Sequence, residues 1–374
     1  MKKYCVIGAG ILGASTAYHL AKAGAEVVII DRKDKGQATD AAAGIVCPWL
    51  SQRRNKAWYR LAKAGAKYYP SLIAELENFG LSDTGYAQVG AICLHHDHEK
   101  LLKMKERALK RRVDAPEIGN IRLLSTDEAK ALFPPLADGY EAVHVSGAAR
   151  VDGRALRDSL LQAAKKLGAE LITGDARIVS FKNKAAAVQA GEELIDCQKI
   201  IITAGAWASE LLEPLGIRFR VSAQKAQIIH LRLPKAETGE WPVVMPPSDQ
   251  YILAFHDRII AGATHENGVG FDVRITAGGL QELLNKALQT APGLHDSTFL
   301  EARVGFRPHT PGFLPVIGSL PVAEDILIAN GLGASGLTMG PYIGGQLAKL
   351  AMGQELNLPL SDYEVAGAIE SFHS

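Results

Sequence analysis

The stretch "KYCVIGAGILGASTAYHLAKAGAEVVIID", residues 3–31, allows few folds. Its short apolar run ends at Gly8, apolar residues then recur at helical spacing up to Gly24, and a second apolar run ends at Asp31. Strand, helix and parallel strand follow from that pattern, because a buried parallel strand reads as continuous hydrophobics and a helix as a stripe. Gly8, Gly10 and Gly13 are spaced G-x-G-x-x-G. The first glycine permits the tight turn, the second lets backbone approach a pyrophosphate, and the third lets helix pack on strand. Asp31, 18 residues after Gly13, stands at the end of the second strand, where a carboxylate accepts hydrogen bonds from ribose hydroxyls. A dinucleotide with an unphosphorylated ribose is therefore expected, which disfavours NADP and leaves NAD and FAD.

The next segment separates those two. An NAD domain should continue into further alternating units, whereas this chain turns to "GQATDAAAGIVCPW", small residues from Gly36 to Gly44. Small side chains expose backbone N–H groups to a bulky, extended ligand. An alanine-rich helix start capped by Thr39 or Asp40 would read the same way. The glycine pattern also recurs near the other end as "NGLGASG", with Gly331, Gly333 and Gly336. No strand ending in an acid follows it within about 20 residues, so a second nucleotide site fails the same test. Exposed N–H groups at a helix N-terminus would instead suit the N1 and C2=O edge of a flavin, where charge accumulates on reduction.

With 374 residues the chain has room for two domains, the second smaller. Its 41 basic and 40 acidic residues nearly cancel, so no global field steers it to nucleic acid or an anionic membrane. The expected partner is a small molecule. Lys2 and Lys3 before an apolar run imitate a secretory signal, but the glycine spacing and the second apolar run identify nucleotide-binding βαβ structure. No stretch has the uninterrupted apolar length of a membrane span, and the four cysteines lack metal or disulfide spacing, so a reducing cytoplasm is expected.

Helices are expected from about residue 58 to Gly80, over "EKLLKMKERALKRR", and over "GRALRDSLLQAAKKLG"; "YAQVGAICLHH" reads as two short strands. The segment from "ARIVSF" to "IIITAGA" reads as a meander returning to the parallel sheet. "QKAQIIHLRL", "QYILAF" and "RIIAGATH" read as alternating strands. "HHDH" at residues 95–98 invites a metal reading, but contiguous side chains alternate faces and no spaced partner is evident, so no metal is expected. The basic helix over residues 100–112 suits docking of an acidic partner or, with its interleaved leucines, a solvated amphipathic face.

"VIGAGILGASTAYHLAKAG", "ATDAAAGIV", "IIITAGAWA", "VGFRPHTPGFLPVIG" and "NGLGASGLTMGP" occur in an order that resembles the D-amino acid oxidase family of FAD enzymes. Glycine oxidase and bacterial D-amino acid dehydrogenase are members of that family that it resembles. The resemblance implies an α/β (α+β) fold: a Rossmann-like FAD-binding domain from residues 1–78, 144–216 and 304–374, and a mainly antiparallel-sheet substrate domain from 79–143 and 217–303. It implies that FAD is held by Gly8, Gly10, Ile11, Leu12, Gly13, Asp31, Arg32, Ala38, Thr39, Ala43, Gly44, Ile45, Arg177, Ala204, Gly205, Gly305 and the loop Leu332, Gly333, Ala334, Ser335, Gly336, Leu337 and Thr338. The sequence departs from glycine oxidase at Ala334, where that enzyme has an arginine. Phe306 stands where monomeric sarcosine oxidase has its flavin-linked cysteine, so FAD is expected to be non-covalent.

Arg307, in what reads as a turn between Gly305 and Pro308, is the expected clamp for a substrate carboxylate; an arginine tying loops to a protein carboxylate is the structural alternative. Its place in the matching family motif favours the clamp. The resemblance also sets Tyr251 beside that carboxylate, a packing tyrosine being the structural alternative. His265 stands where glycine oxidase has an apolar residue and is a candidate to contact substrate or line the cavity, an ordinary surface or core histidine being the alternative. The implied activity is oxidation of the C–N bond of a D-amino acid, glycine or N-substituted glycine, by hydride transfer to flavin N5 and hydrolysis of the resulting imine. Oxygen or a quinone or carrier accepts the electrons. Larger secondary amines such as sugar-modified amino acids, and a flavin protein without amine turnover, are the rival readings. Homo-oligomerisation is left open.

Overall fold

A computed structural model of the protein describes residues 2–180 and 186–372. Its first structural layer is a six-stranded sheet in the spatial order Val316–Leu320, Ala323–Asn330, Lys199–Ile202, Lys3–Ile7, Glu26–Asp31 and Glu170–Thr173. All neighbours are parallel except the first pair. The apolar runs are continuous because both faces are covered. Val6, Val27, Ile29, Ile201 and Leu327 face the helices Ile11–Lys22, Lys56–Asn78, Gly153–Lys166 and Gly336–Ala351. Their alternates Ile7, Val28, Ile30, Ile202 and Ile328 pack on the opposite side against Ile178, Val188 and Ile195 of a three-stranded antiparallel sheet. The expected meander supplies that sheet, with residues 181–185 of it outside the described residues.

Helix Gly336–Ala351 lies close against its neighbours because it presents glycine. A Cβ at Gly344 would stand 2.6 Å from that of Ser15, whose hydroxyl donates to Pro341 O at 2.7 Å.

The second layer is an eight-stranded sheet in the order Thr298–His309, Ser222–Arg232, Ile259–Gly262, Tyr251–Ala254, Val243–Met245, Ala91–His95, Glu141–Val145 and Ile121–Leu124. One face buries Ile229, Leu231, Ile252 and Ala261 against Leu283 and Ala287 of helix Ala277–Thr290. The other joins the core beneath the helices of the parallel sheet, through Ala226, Ile228, Leu253 and Ile260.

Two local expectations need correction. "YAQVGAICLHH" forms one strand, Ala91–His95, because Ala87 makes only an isolated bridge to Arg150. Arg307 lies in the strand Thr298–His309 and not in a turn. Gly305 and Pro308 look like punctuation, but this strand is the outermost of its sheet, and an edge strand tolerates a proline that cannot donate to the ladder.

Candidate active site

The parallel strands end on one side of their sheet, and those ends converge. Gly8, Asp31, Gly174, Thr203 and Asn330, each at or just past a strand end, line one cavity of about 600 Å³. A cleft at the carboxyl ends of parallel strands is where open α/β sheets bind ligands. The glycines of the first loop do what their spacing requires. Gly8 has φ +102°, and a Cβ there would lie 2.7 Å from Thr203 O; a Cβ on Gly13 would overlap the Gly8 carbonyl oxygen. Gly13 therefore packs helix on strand and is not part of the cavity wall.

Asp31 fixes that loop, since its carboxylate accepts from Ala9 N (2.6 Å), Lys33 N (2.6 Å) and the Gln37 side chain (2.8 Å). The Thr39 hydroxyl accepts from Ile11 N at 3.0 Å, tying the small-residue run to the start of the first helix. That run is a 3₁₀ turn, Ala38–Ala41, which starts before Thr39 and has no side-chain cap, so neither Thr39 nor Asp40 caps it; Ala38, Thr39 and Ala41 line the cavity. Arg32 and Arg177 stand at the cavity's outer end. Arg32 is held by Asp34 (2.7 Å) and Glu210 (3.0 Å).

Of the residues expected to meet the cofactor, Gly8, Gly10, Ile11, Leu12, Asp31, Arg32, Ala38, Thr39, Ala43, Gly44, Ile45, Arg177, Ala204, Gly205, Gly305, Leu332, Gly333, Ala334, Gly336, Leu337 and Thr338 line the cavity. Ser335 does not. "NGLGASG" is a strand-to-helix turn opening helix Gly336–Ala351, and it closes the same cavity that the first glycine loop opens.

At the opposite end the wall is made by the eight-stranded sheet. Register sets Gln224 opposite Arg307, Ala226 opposite Gly305, and Tyr251 opposite Gly262, all on one face. Gly262 makes room there, because a Cβ would come 2.7 Å from the Tyr251 hydroxyl. Burial raises the pKa of Tyr251, while the Arg307 charge beside it and their side-chain contact pull against that rise, so the hydroxyl is protonated.

Arg307 donates to Gln224 Oε1 at 3.0 Å and Thr264 O at 3.4 Å, both neutral. Among the described residues no carboxylate pairs with it. Adjacent Lys225, by contrast, is wholly buried and sits between Asp272 (3.2 Å) and Glu266 (3.6 Å). Asp249, the acid in Arg307's field, is taken by Lys286 (3.1 Å) and His265 (3.5 Å). Arg307 is thus a guanidinium desolvated enough for burial to lower its pKa, and among the described residues its hydrogen-bond acceptors are all neutral.

His265 lies past the end of its strand, which stops at Gly262, and is not part of the cavity wall. Burial and then Arg307 lower its pKa. The sequence did not single out His309. Its ring occupies the space beside Gly333, where a Cβ would come 2.5 Å from Cε1; burial and Arg307 push its pKa down to about 4, so it is neutral. Gln37, Gln224 and Asn330 were also missed. Gln37 and Asn330 adjoin motifs, but Gln224 meets Arg307 only through strand register.

The cavity fits FAD. It is long enough to reach from a dinucleotide loop to Arg307, and glycine and alanine line its sides. A family model described as FAD dependent oxidoreductase (DAO) matches residues 3–350. The chain belongs to that family. As a DAO-family protein it is an FAD-dependent oxidoreductase. It is 62% identical over 371 residues to the uncharacterized oxidoreductase YurR of Bacillus subtilis (strain 168), covering 99% of this chain and 100% of the relative. It is 30% identical to a glycine oxidase of Pseudomonas aeruginosa, covering 98% and 100%. The crystal structure of iminodiacetate oxidase from Chelativorans sp. BNC1 superposes with a TM-score of 0.93 at 47% identity, covering 96% of this chain and 98% of that one. Glycine oxidase from Geobacillus kaustophilus gives 0.84 at 25%, covering 98% and 99%.

Among the described residues no helix is long and apolar enough to cross a membrane. The "HHDH" side chains have local partners: His96 stacks on Tyr140, Asp97 caps the helix His98–Arg112, and His98 meets Glu141 at 2.6 Å.

Proposed function

We propose that the protein oxidises the C–N bond of N-substituted glycines, secondary amines of the form R–NH–CH2–COO⁻. The observation that carries this reading is Arg307, a desolvated guanidinium with neutral partners on the cavity face that Tyr251 shares. A carboxylate is the ligand such a fork fits best. The preference for a substituted over a free amine is supported by the 47% identity to an iminodiacetate oxidase. FAD supplies the two-electron acceptor when bound.

The chain's own contribution is positional. Arg307 and Tyr251 hold the carboxylate, which fixes the direction of the adjacent C–H bond and removes much of the entropic part of the barrier. The amine gives up a hydride and a proton, leaving R–N=CH–COO⁻. Water then releases R–NH2 and glyoxylate. Neutral His309 adds no competing charge beside the carboxylate. Residues 1–78, 144–216 and 304–374 serve the cofactor in this reading, and 79–143 and 217–303 the substrate. Four free cysteines, two of them buried, are compatible with a cytoplasmic setting.

The test is anaerobic mixing of the FAD-loaded protein with sarcosine, iminodiacetate, glycine and D-alanine in turn. Bleaching of the flavin spectrum first by the N-substituted compounds is the expected result. Faster bleaching by D-alanine or glycine moves the substrate to primary amines, and no bleaching by any of them overturns the reading. Peroxide formation in air, compared with turnover on an artificial acceptor, separates oxygen from a carrier.

A further inference from the structure

A second cavity, about 520 Å³, lies between the loop before helix Lys56–Asn78 and the basic helix His98–Arg112. Its wall is Gln52, Arg53, Arg54, Asn55, Lys56, Tyr59, Arg107 and Arg111. It holds cations from both elements and no acid. Like charges gathered in one concavity repel one another, so the fold carries this arrangement at a cost unless something anionic offsets it.

The cluster is built and not merely adjacent. Arg111 Nη1 donates to Trp49 O (2.6 Å) and Ser51 O (2.7 Å), pinning the loop, and its guanidinium lies 4.4 Å from the Tyr59 ring centroid. Arg53 lies 4.9 Å from the Trp58 centroid and donates to Phe313 O. Arg107 is one helical turn before Arg111, so both point to the same side. Two polar atoms of this wall, Arg107 Nε and the Tyr59 hydroxyl oxygen, are buried without a hydrogen-bond partner. The N-terminus of helix Lys56–Asn78 adds its positive end, with no acidic residue in its first turn. The acids in Tyr59's field are Asp114 and Glu117. Asp114 is taken by Lys63 at 2.8 Å, and neither lines the pocket.

We propose that this pocket binds a multiply charged oxyanion of the phosphate type. The pocket is separate from the Arg307 cavity, and a chain of contacts runs from one to the other. Arg53 meets Phe313, Phe313 packs edge-to-face on His309 with ring centroids 5.1 Å apart, and His309 fills the space beside Gly333 of the cofactor loop. The oxyanion is therefore either a free ligand or the far end of a long amine substrate.

Calorimetric titration of the FAD-loaded protein with inorganic phosphate at low salt tests this. Saturable binding at one site per chain is expected, weakened at least about tenfold by Arg54→Glu with Lys56→Glu. Both residues are exposed, and glutamate at a helix start is favourable, so the double variant should fold. Arg307→Met should leave phosphate binding unchanged, which separates this proposal from the proposed activity. Absence of saturable binding, or equal affinity in the double variant, overturns it. Competition by phosphate against an N-carboxymethyl amine with a distal phosphoryl group, but not against sarcosine, would assign the site to the substrate's tail. Binding without competition against either would assign it to a free ligand.

Discussion

Replacing Arg307 by methionine removes the charge while keeping much of the side chain's length. Its fork would give a substrate carboxylate two charge-assisted hydrogen bonds, each worth about 1.5–3 kcal/mol, and truncating one member of a desolvated charge pair costs about 2–5 kcal/mol. A combined loss of about 3–5 kcal/mol lowers kcat/KM by between about a hundredfold and a few thousandfold, at roughly 1.4 kcal/mol per factor of ten. The protein itself should hardly notice. Arg307 has only the neutral partners Gln224, Thr264 and Tyr251, and the loss of those contacts is offset by relief of a desolvated charge, so thermal unfolding should shift little. The assay compares kcat/KM for sarcosine with that for dimethylamine, which lacks the carboxylate, in both proteins. The variant should lose activity on sarcosine and none on dimethylamine. Equal losses on both would refute the argument, because an arginine that only shapes the cavity cannot tell the two apart.

Gly333→Ala should weaken FAD binding, since φ is +53° and the new Cβ would come 2.5 Å from His309; titration of apoprotein with FAD, followed by quenching of flavin fluorescence, checks it. Asp31→Ala strips the acceptor from Ala9 N, Lys33 N and Gln37. Its FAD affinity should fall about 10- to 100-fold, for about 1.5–3 kcal/mol of lost charged hydrogen bonding. His230 is buried with neither ring nitrogen hydrogen-bonded and Glu301 3.8 Å from its Nδ1; burial followed by Arg303 depresses its pKa to about 4. The unfolded state then binds more protons as pH falls from about 6.5 towards 4, so stability present above that window is lost within it, by up to about 3 kcal/mol. Thermal unfolding at pH 7 and 4.5 should show the drop, and His230→Leu should reduce it.

Local chemistry was legible in the sequence. The turn at Gly8, the packing at Gly13 and the carboxylate at Asp31 each act within one βαβ unit, where spacing along the chain equals spacing in space. The second glycine loop was legible too, because the missing acidic strand after it could be checked directly. The substrate end was less so. Arg307 could be chosen from its motif, but that its partners are neutral follows from the pairing of Thr298–His309 with Ser222–Arg232, and register across 83 residues leaves no mark in either segment alone. The space Gly262 leaves for Tyr251 depends on the same register. The basic helix was ambiguous for a different reason. Its charges acquire meaning only opposite the loop at residues 52–56, which arrives from another part of the chain.

The walls of the cavity come largely from residues near 8, 31–45, 174–179, 203–214, 305–308 and 329–338, segments far apart in the chain that the sheets and a few hydrogen bonds bring together. FAD held by this cavity would be a non-covalent cross-link between parts of the chain more than 300 residues apart. Such a cross-link strengthens with supply: at about 1,000 times its Kd a ligand adds about 4 kcal/mol to folding, a sizeable share of the margin of an ordinary domain. The amount of this protein that a cell can keep folded should therefore follow its flavin content, and flavin shortage would be felt as proteolysis before it was felt as slow turnover.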